Sequence, residues 1–291
     1  MKKISLFLLC LPLIFMLNAC EEVNTLIDLT PPSVGNVDQL ILDSSFATTP
    51  VPAAQVKNVL IEDFTGDKCD NCPRAQGRGI TIENQNPGRV SVVGIQCTSL
   101  DIPYVSTFDL RTPHGDDLLG LEGTPVGLPQ GDVDRKIYAG NPNSLMTDGA
   151  WPGNVSTELG LPTIANINQV SKSYDPVSRT FSMMLNVTFT QGSTDTFYLS
   201  TALTESGMIG PQLTPTGENQ TFQFEHVLRK MMSPWNGLQI ASSPAGGKTC
   251  QVKFNTVVDP KWVADSCKVV TFVHRRGAKN DVEQVMETTV K

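Results

Sequence analysis

The stretch Val59-Leu-Ile-Glu-Asp63-Phe-Thr-Gly-Asp-Lys-Cys69-Asp-Asn-Cys72-Pro73 decides how this chain is read. Val56 to Phe64 is rich in Val, Ile and Leu with few breaks, as a strand buried on both faces should be. Two cysteines follow with two residues between them. Pro73 comes next, and proline suits the first turn of a helix because its missing N–H would be unpaired there anyway. The expected helix is thinly written. Gly77 and Gly79 weaken it, and Ala75, Ile80 and Ile82 supply its apolar contacts. Asn86-Pro87-Gly88 ends it, and Arg89 to Cys97 (RVSVVGIQC) forms a second buried strand. Strand, helix and strand in this order make a βαβ unit, and a CxxC in that setting is a redox motif by placement.

The spacing serves the chemistry. Two intervening residues let a small disulfide close across the first turn of a helix. A cysteine at the helix N-terminus meets unpaired backbone N–H groups and the positive end of the dipole, which favour its thiolate. The thiolate is the species that attacks a disulfide. Cys69 is therefore the expected nucleophile and Cys72 the resolving thiol. Lys68 favours the thiolate, whereas Asp67 and Asp70 oppose it. The reduction potential then falls somewhere between about −270 and −120 mV, the span of this chemistry. A zinc site needs four ligands, or three and a water. His114, His226 and His274 are not at ligand spacing from one another, so neither metal nor cofactor is expected.

Asp63-Phe64, six and five positions before Cys69, resembles the Asp-Phe of thioredoxins at the same offset. The resemblance implies a thioredoxin-like domain in which Asp63 assists proton transfer at the resolving cysteine. It also implies a cis-proline facing the dithiol. The candidate is Leu128-Pro129 in Gly127-Leu-Pro-Gln-Gly131, with Thr124-Pro125 second, and that turn would hold an extended peptide substrate. Two positions depart from the thioredoxin pattern. Lys68 replaces the tryptophan before the first cysteine, and Asp70-Asn71 replaces Gly-Pro.

Beyond the dithiol, residues 98–125 are polar and loop-rich, with a short helix expected near Asp116–Leu119. Gly131 to Ile137 is a third strand, and a last helix lies within Asn154–Leu159. Residues 161–291 change character. Strand-like runs recur at Ile164–Val170, Thr180–Thr190, Thr196–Thr204, Thr221–Leu228, Thr249–Val258, Lys268–His274 and Asp281–Val290. In the second run Phe181, Met183, Leu185, Val187 and Phe189 alternate with more polar neighbours, the pattern of a strand with one buried face. Turn signals such as Tyr174-Asp-Pro176 separate the runs. Together they predict an antiparallel β-sandwich of immunoglobulin-like or fibronectin-like shape. Cys250 and Cys267, at the starts of successive strands, are expected to form a structural disulfide, with two unpaired thiols as the alternative. Cys97, ending an apolar strand, is expected to be a buried small hydrophobe.

The N-terminus sets the compartment. Lys2 and Lys3 precede the apolar run Ile4–Met16, which is too short to span a bilayer and fits a secretory signal. The run closes in Leu17-Asn-Ala-Cys20, which resembles the lipobox of bacterial lipoproteins and implies cleavage after Ala19 and lipidation of Cys20. Residues 1–19 are then the signal peptide and 20–55 the lipidated N-terminus with an extended, proline-rich tether, in which Gln39-Leu-Ile-Leu-Asp43 could form one short strand. Residues 56–160 are the thioredoxin-like domain, and 161–291 the β-sandwich. Formal charge is −7, and an acidic body argues against nucleic acid as a partner. The lipobox, Glu62-Asp-Phe-Thr-Gly66 before Cys-x-Asn-Cys-Pro, the run Leu128–Arg135 and His226-Val-Leu-Arg229 together resemble the Bacteroidetes family named for outer membrane protein 28. That resemblance implies an envelope lipoprotein held in the outer membrane by its lipid. The expected function is thiol–disulfide exchange on exported proteins or peptides. The alternative is a non-enzymatic surface lipoprotein whose two domains bind partners. Oligomeric state, and display on the periplasmic or the outer face, are left open.

Overall fold

The computed structural model describes residues 39–105, 107–277 and 280–291. The signal segment, Cys20 and its lipobox lie outside the described residues. In chain order the strands and helices are β1 (Gln39–Ala47), β2 (Val59–Thr65), α1 (Cys72–Gln85), β3 (Val90–Gln96), α2 (Gly115–Glu122), β4 (Gln130–Val133) and α3 (Trp151–Leu159). Then follow β5 (Ala165–Asp175), β6 (Thr180–Phe189), β7 (Thr196–Glu205), β8 (Met208–Thr214), β9 (Gly217–Phe224), β10 (Val227–Met231), β11 (Leu238–Ser242), β12 (Lys248–Val257), β13 (Cys267–Arg275) and β14 (Val282–Thr289).

β2 and β3 pair in parallel from Val59↔Val90 to Thr65↔Gln96, and both are buried nearly throughout, which is why they read as continuous apolar runs. α1 crosses between them and buries Cys72, Ala75, Gly79 and Ile82. Gly79 has a packing reason: a Cβ there would lie 3.3 Å from Val92, so the helix sits close on β3. On the other side of β2 runs β4, antiparallel, with Gln130 opposite Phe64 and Gly131 opposite Asp63. Gly131 in turn bridges Met146, just before α3.

β4 ends at Val133 instead of reaching Ile137. Asp134 and Arg135 take positive φ (54° and 53°), which stops a strand. Their side chains turn into the protein. Arg135, fully buried, grips Glu62 bidentately at 2.6 and 2.7 Å and lies 3.4 Å from Glu122. Lys57 pairs with Asp134 at 2.9 Å and with Glu158 at 2.8 Å. These pairs tie the turn after β4 to β2, α2 and α3.

The C-terminal strands form two layers. A four-stranded sheet, β1-β12-β6-β5, faces strands of an eight-stranded sheet ordered β14-β13-β7-β10-β3-β2-β4, with β11 also on β7. Phe181, Leu185, Val252 and Phe254 of the first layer share one core with Phe197, Leu199, Val269 and Val273 of the second. The alternation in β6 holds from Thr180 to Val187, with Phe181, Met183, Leu185 and Val187 buried and the residues between them half-buried; at its end Thr188 is buried beside Phe189.

Several expectations are corrected. The tether does not extend through residue 55, because β1 pairs with β12 over Gln39↔Asn255 to Ala47↔Lys248. The boundary at 160/161 is not a break in the architecture. β10 joins β3 in parallel at Val227↔Gly94, so strands from both halves share one sheet, and all described residues belong to one compact unit. The run Thr221–Leu228 is two strands, interrupted at His226 (φ 57°). β8 and β11 were not expected. Cys250 and Cys267 are not bridged: both are buried free thiols, Cys250 on β12 and Cys267 at the start of β13, in different sheets. No helix among the described residues is long and apolar enough to cross a membrane.

Candidate functional site: a buried dithiol over a buried carboxyl

β2 delivers the chain to the site. After Thr65 it turns at Gly66, where a Cβ would lie 2.6 Å from the Leu100 carbonyl, so the close approach of the 98–101 loop requires glycine. Lys68 N–H donates to that same carbonyl at 2.9 Å. Two successive turns follow: Cys69 N–H donates to Gly66 O (3.1 Å) and Cys72 N–H to Cys69 O (3.3 Å). Cys69 and Cys72 form a disulfide. The helix begins at Cys72, one turn later than a start at Cys69 would put it, so Cys69 lies in the turn before α1 and Cys72 is its first residue. Asn71 provides no side-chain cap, and Pro73 fills the first turn. Of the first-turn groups, Cys72 N–H is taken by Cys69 O, Pro73 has none, and Arg74 N–H donates to Asn71 O at 3.2 Å, so what the helix start offers the cysteines is its dipole.

Asp63 sits beneath the dithiol. It is buried on β2, with Gly94 of β3 and Gly131 of β4 at the same level on either side. Its Oδ1 has no hydrogen-bond partner. Burial pushes its pKa up to about 8, and the charge of Asp148 adds to the rise. Asp148 is itself held by Arg74 and Arg78, each at 2.9 Å. Asp63 and Cys72 line one cavity of about 20 Å³, with Pro73, Gln76, Gln212, Phe222 and Phe224 among its other walls. That volume is enough for one water.

The sequence-predicted turn Leu128-Pro129 is the one with a cis bond; Thr124-Pro125 is not among the cis bonds. Because Gln130 lies opposite Phe64, Pro129 stands at the level of Thr65, the end of the sheet from which the dithiol turn departs. Lys68 does not lean on the dithiol; its Nζ lies 5.4 Å over the Tyr104 ring. Asp67 is buried, which raises its carboxyl to about 6, with Lys68 pulling it down and Asp101 pushing it up. Asp70 and Asn71 face solvent and bond each other at 2.8 Å. Cys97 is buried near this region, its N–H on Thr65 O, and burial drives its thiol well above the ordinary range. Among the described residues no group of His, Cys, Asp and Glu is arranged to hold a metal ion.

Sequence reasoning missed the part of the site supplied from far along the chain. Gln212, Phe222 and Phe224 belong to the β8–β9 hairpin and reach the dithiol from the C-terminal half. Gly210-Pro211-Gln212 reads as a turn, and nothing local marks Gln212 as a neighbour of Cys69. Arg74, Arg78 and Asp148 carry no motif either.

The family model described as outer membrane protein Omp28 matches residues 124–291. Among solved structures, the chain is similar to HBP35 of Porphyromonas gingivalis, with a TM-score of 0.64 and 16% identity, over 82% of this chain and 77% of that one. A protein from Agrobacterium tumefaciens aligns at a TM-score of 0.49 and 13% identity, over 82% of this chain and 96% of that one. A domain of the outer membrane lipoprotein Omp28 from Porphyromonas gingivalis aligns at a TM-score of 0.31 and 16% identity, over 44% of this chain and 89% of the domain. No curated protein matches by sequence. At 16% identity the likeness to HBP35 is one of fold.

Proposed function

The chain belongs to the outer membrane protein Omp28 family, and from that membership we propose that it is a lipid-anchored envelope protein whose thioredoxin-like half exchanges thiols and disulfides with exported proteins. The order β2–α1–β3, with antiparallel β4 on the other side of β2 and α3 after the Met146 bridge, supports the thioredoxin-like reading of residues 56–160. Cys20 carries the lipid in this reading. The observation that carries the proposal is Cys72 and the unpaired carboxyl of Asp63 sharing one water-sized cavity beneath the Cys69–Cys72 disulfide.

The chemistry follows from that placement. In the oxidised protein Asp63 is protonated at neutral pH, since burial holds its pKa near 8. A thiolate of the partner attacks Cys69, the S–S bond breaks, and Cys72 leaves as a thiolate that Asp63 protonates directly or through the one water. A second partner thiol then releases Cys69. Two electrons and two protons pass to the protein, and the partner is left as a disulfide. In reverse, Asp63 takes the proton from Cys72 as it resolves a mixed disulfide on Cys69. The turn at Leu128-Pro129 presents its backbone to an extended partner segment at the same end of the sheet.

One observation favours the second reading, a scaffold without turnover: Cys69 and Cys72 are only 4% and 2% exposed. Trapping separates the two. With full-length Cys72→Ser, a peptide bearing an activated disulfide should accumulate as a mixed disulfide on Cys69, and Cys69→Ser should give none. If neither variant captures the peptide, the site is a structural staple and the protein works by binding.

A further inference from the structure

The dithiol turn is clamped from the C-terminal half. β8 and β9 form a hairpin, set apart from the two large sheets, whose register shifts between Gly210 and Gln212. Pro211, which has no N–H to give a ladder, occupies the bulge. A bulge re-aims the side chain that follows it. Here that side chain is Gln212, only 2% exposed. Its amide nitrogen donates to Gly66 O at 3.2 Å and to Cys69 O at 3.0 Å, as well as to Leu213 O at 2.9 Å. Gly66 O and Cys69 O are the two carbonyls that close the successive turns carrying Cys69 and Cys72. One nitrogen thus spans both turns. Leu213 N–H adds a bond to Asp67 O at 2.7 Å. At the hairpin's other edge Gln76 Nε2 donates to Gln223 O at 2.9 Å, anchoring the hairpin to α1. Phe222 and Phe224 wall the cavity that Asp63 and Cys72 share.

We infer that Gln212 is a positioning residue for the dithiol, and that through it the β8–β9 hairpin reads the oxidation state of Cys69–Cys72. The inference rests on the redox reading above. In the disulfide, Cys69 is tied to the start of α1, so both turn carbonyls stand where one amide reaches them. Reduction by a dithiol adds two electrons and two protons, breaks the S–S bond and leaves the reductant as a cyclic disulfide. Two thiols cannot sit as close as two bonded sulfurs. Both cysteines are enclosed and the adjoining cavity holds at most one water, so the separation is taken up by the turn. The carbonyl of Cys69 then moves away from Gln212, and the hairpin loses one of the bonds that join it to the dithiol turn. The coupling is reciprocal: what reduction costs the clamp, the clamp adds to the disulfide.

The test uses full-length protein with dithiothreitol as reductant. Hydrogen exchange at Leu213 and along residues 208–224 should quicken about tenfold on reduction, the factor of one net buried hydrogen bond. Gln212→Ala should make the disulfide about tenfold easier to reduce, a rise of about 30 mV. Gln212→Glu, which keeps the shape but offers no amide donor, should do the same, and it remains informative should the alanine variant misfold. Gln212→Asn, with an amide on a shorter reach, should fall between. Equal hairpin exchange in both redox states, or an unchanged potential in the Ala and Glu variants while Cys69 still exchanges, overturns the clamp and leaves the redox reading standing. A dithiol that dithiothreitol cannot reduce overturns both.

Discussion

Replacing Asp63 by asparagine should make the protein more stable at neutral pH, by a margin that grows as pH rises. The carboxyl has a folded pKa of about 8 against 3.8 unfolded, with burial as the main cause and Asp148 second. Between these values the folded state holds a proton that the unfolded state has lost. An acid with a raised folded pKa contributes fully below its unfolded value and loses that contribution as pH climbs to the folded value. The loss is about 1.4 kcal/mol per pH unit, and it reaches about 4 kcal/mol at pH 7. Asparagine keeps the shape and does not titrate. Its amide leaves a pH-independent cost of about 1–3 kcal/mol if it finds no partner in the cavity. The readout is therefore the slope. Urea unfolding of the oxidised full-length protein at pH 5, 6 and 7 should give a stability difference, variant minus wild type, that grows by about 3 kcal/mol across the range. Other buried carboxyls, such as Asp134 and Glu122, titrate in both proteins and cancel in the difference. Parallel curves would mean that Asp63 is ionised in the folded state, and the proton-transfer role assigned to it would fall.

Arg135→Met should cost about 3–5 kcal/mol in urea unfolding at neutral pH, because Glu62 and Glu122 lose their buried counter-charge; a shift within the range of surface substitutions would mean that the network is hydrated. A thiol count on the native, delipidated protein should find no fast-reacting cysteine, with Cys97, Cys250 and Cys267 appearing only on denaturation and Cys69 and Cys72 only after reduction. Fewer than three thiols in the denatured, unreduced protein would restore a second disulfide.

The parts of the fold written in short-range pattern were legible. β2 and β3 carry unbroken apolar runs because they are buried on both faces, and β6 alternates because it has one buried face. Asp63 was found through its offset from Cys69, and Pro129 through its turn. What escaped the sequence depends on which sheet a strand joins. Cys250 and Cys267 begin successive strands, but β12 lies between β1 and β6 while β13 lies between β14 and β7, so nearness in sequence was misleading. The shortening of β4 is set by where Asp134 and Arg135 find buried partners, Lys57 and Glu62, more than seventy residues earlier. The hairpin over the dithiol was unreadable for a similar reason. Gly210 and Pro211 look like a turn, yet in the structure a Cβ at 210 would strike the Phe108 ring, and the bulge at Pro211 sends Gln212 to Cys69.

The measurement that most directly tests the redox account is the thiolate pKa of Cys69 in the reduced full-length protein, by alkylation rate against pH, with the reduction potential of Cys69–Cys72 taken on the same sample. The account predicts a pKa well below the free value of about 8.5 and a disulfide that cycles reversibly at a potential between about −270 and −120 mV. An unshifted pKa, or a bond that physiological reductants do not open, would contradict it and leave the dithiol as a staple beneath a binding surface.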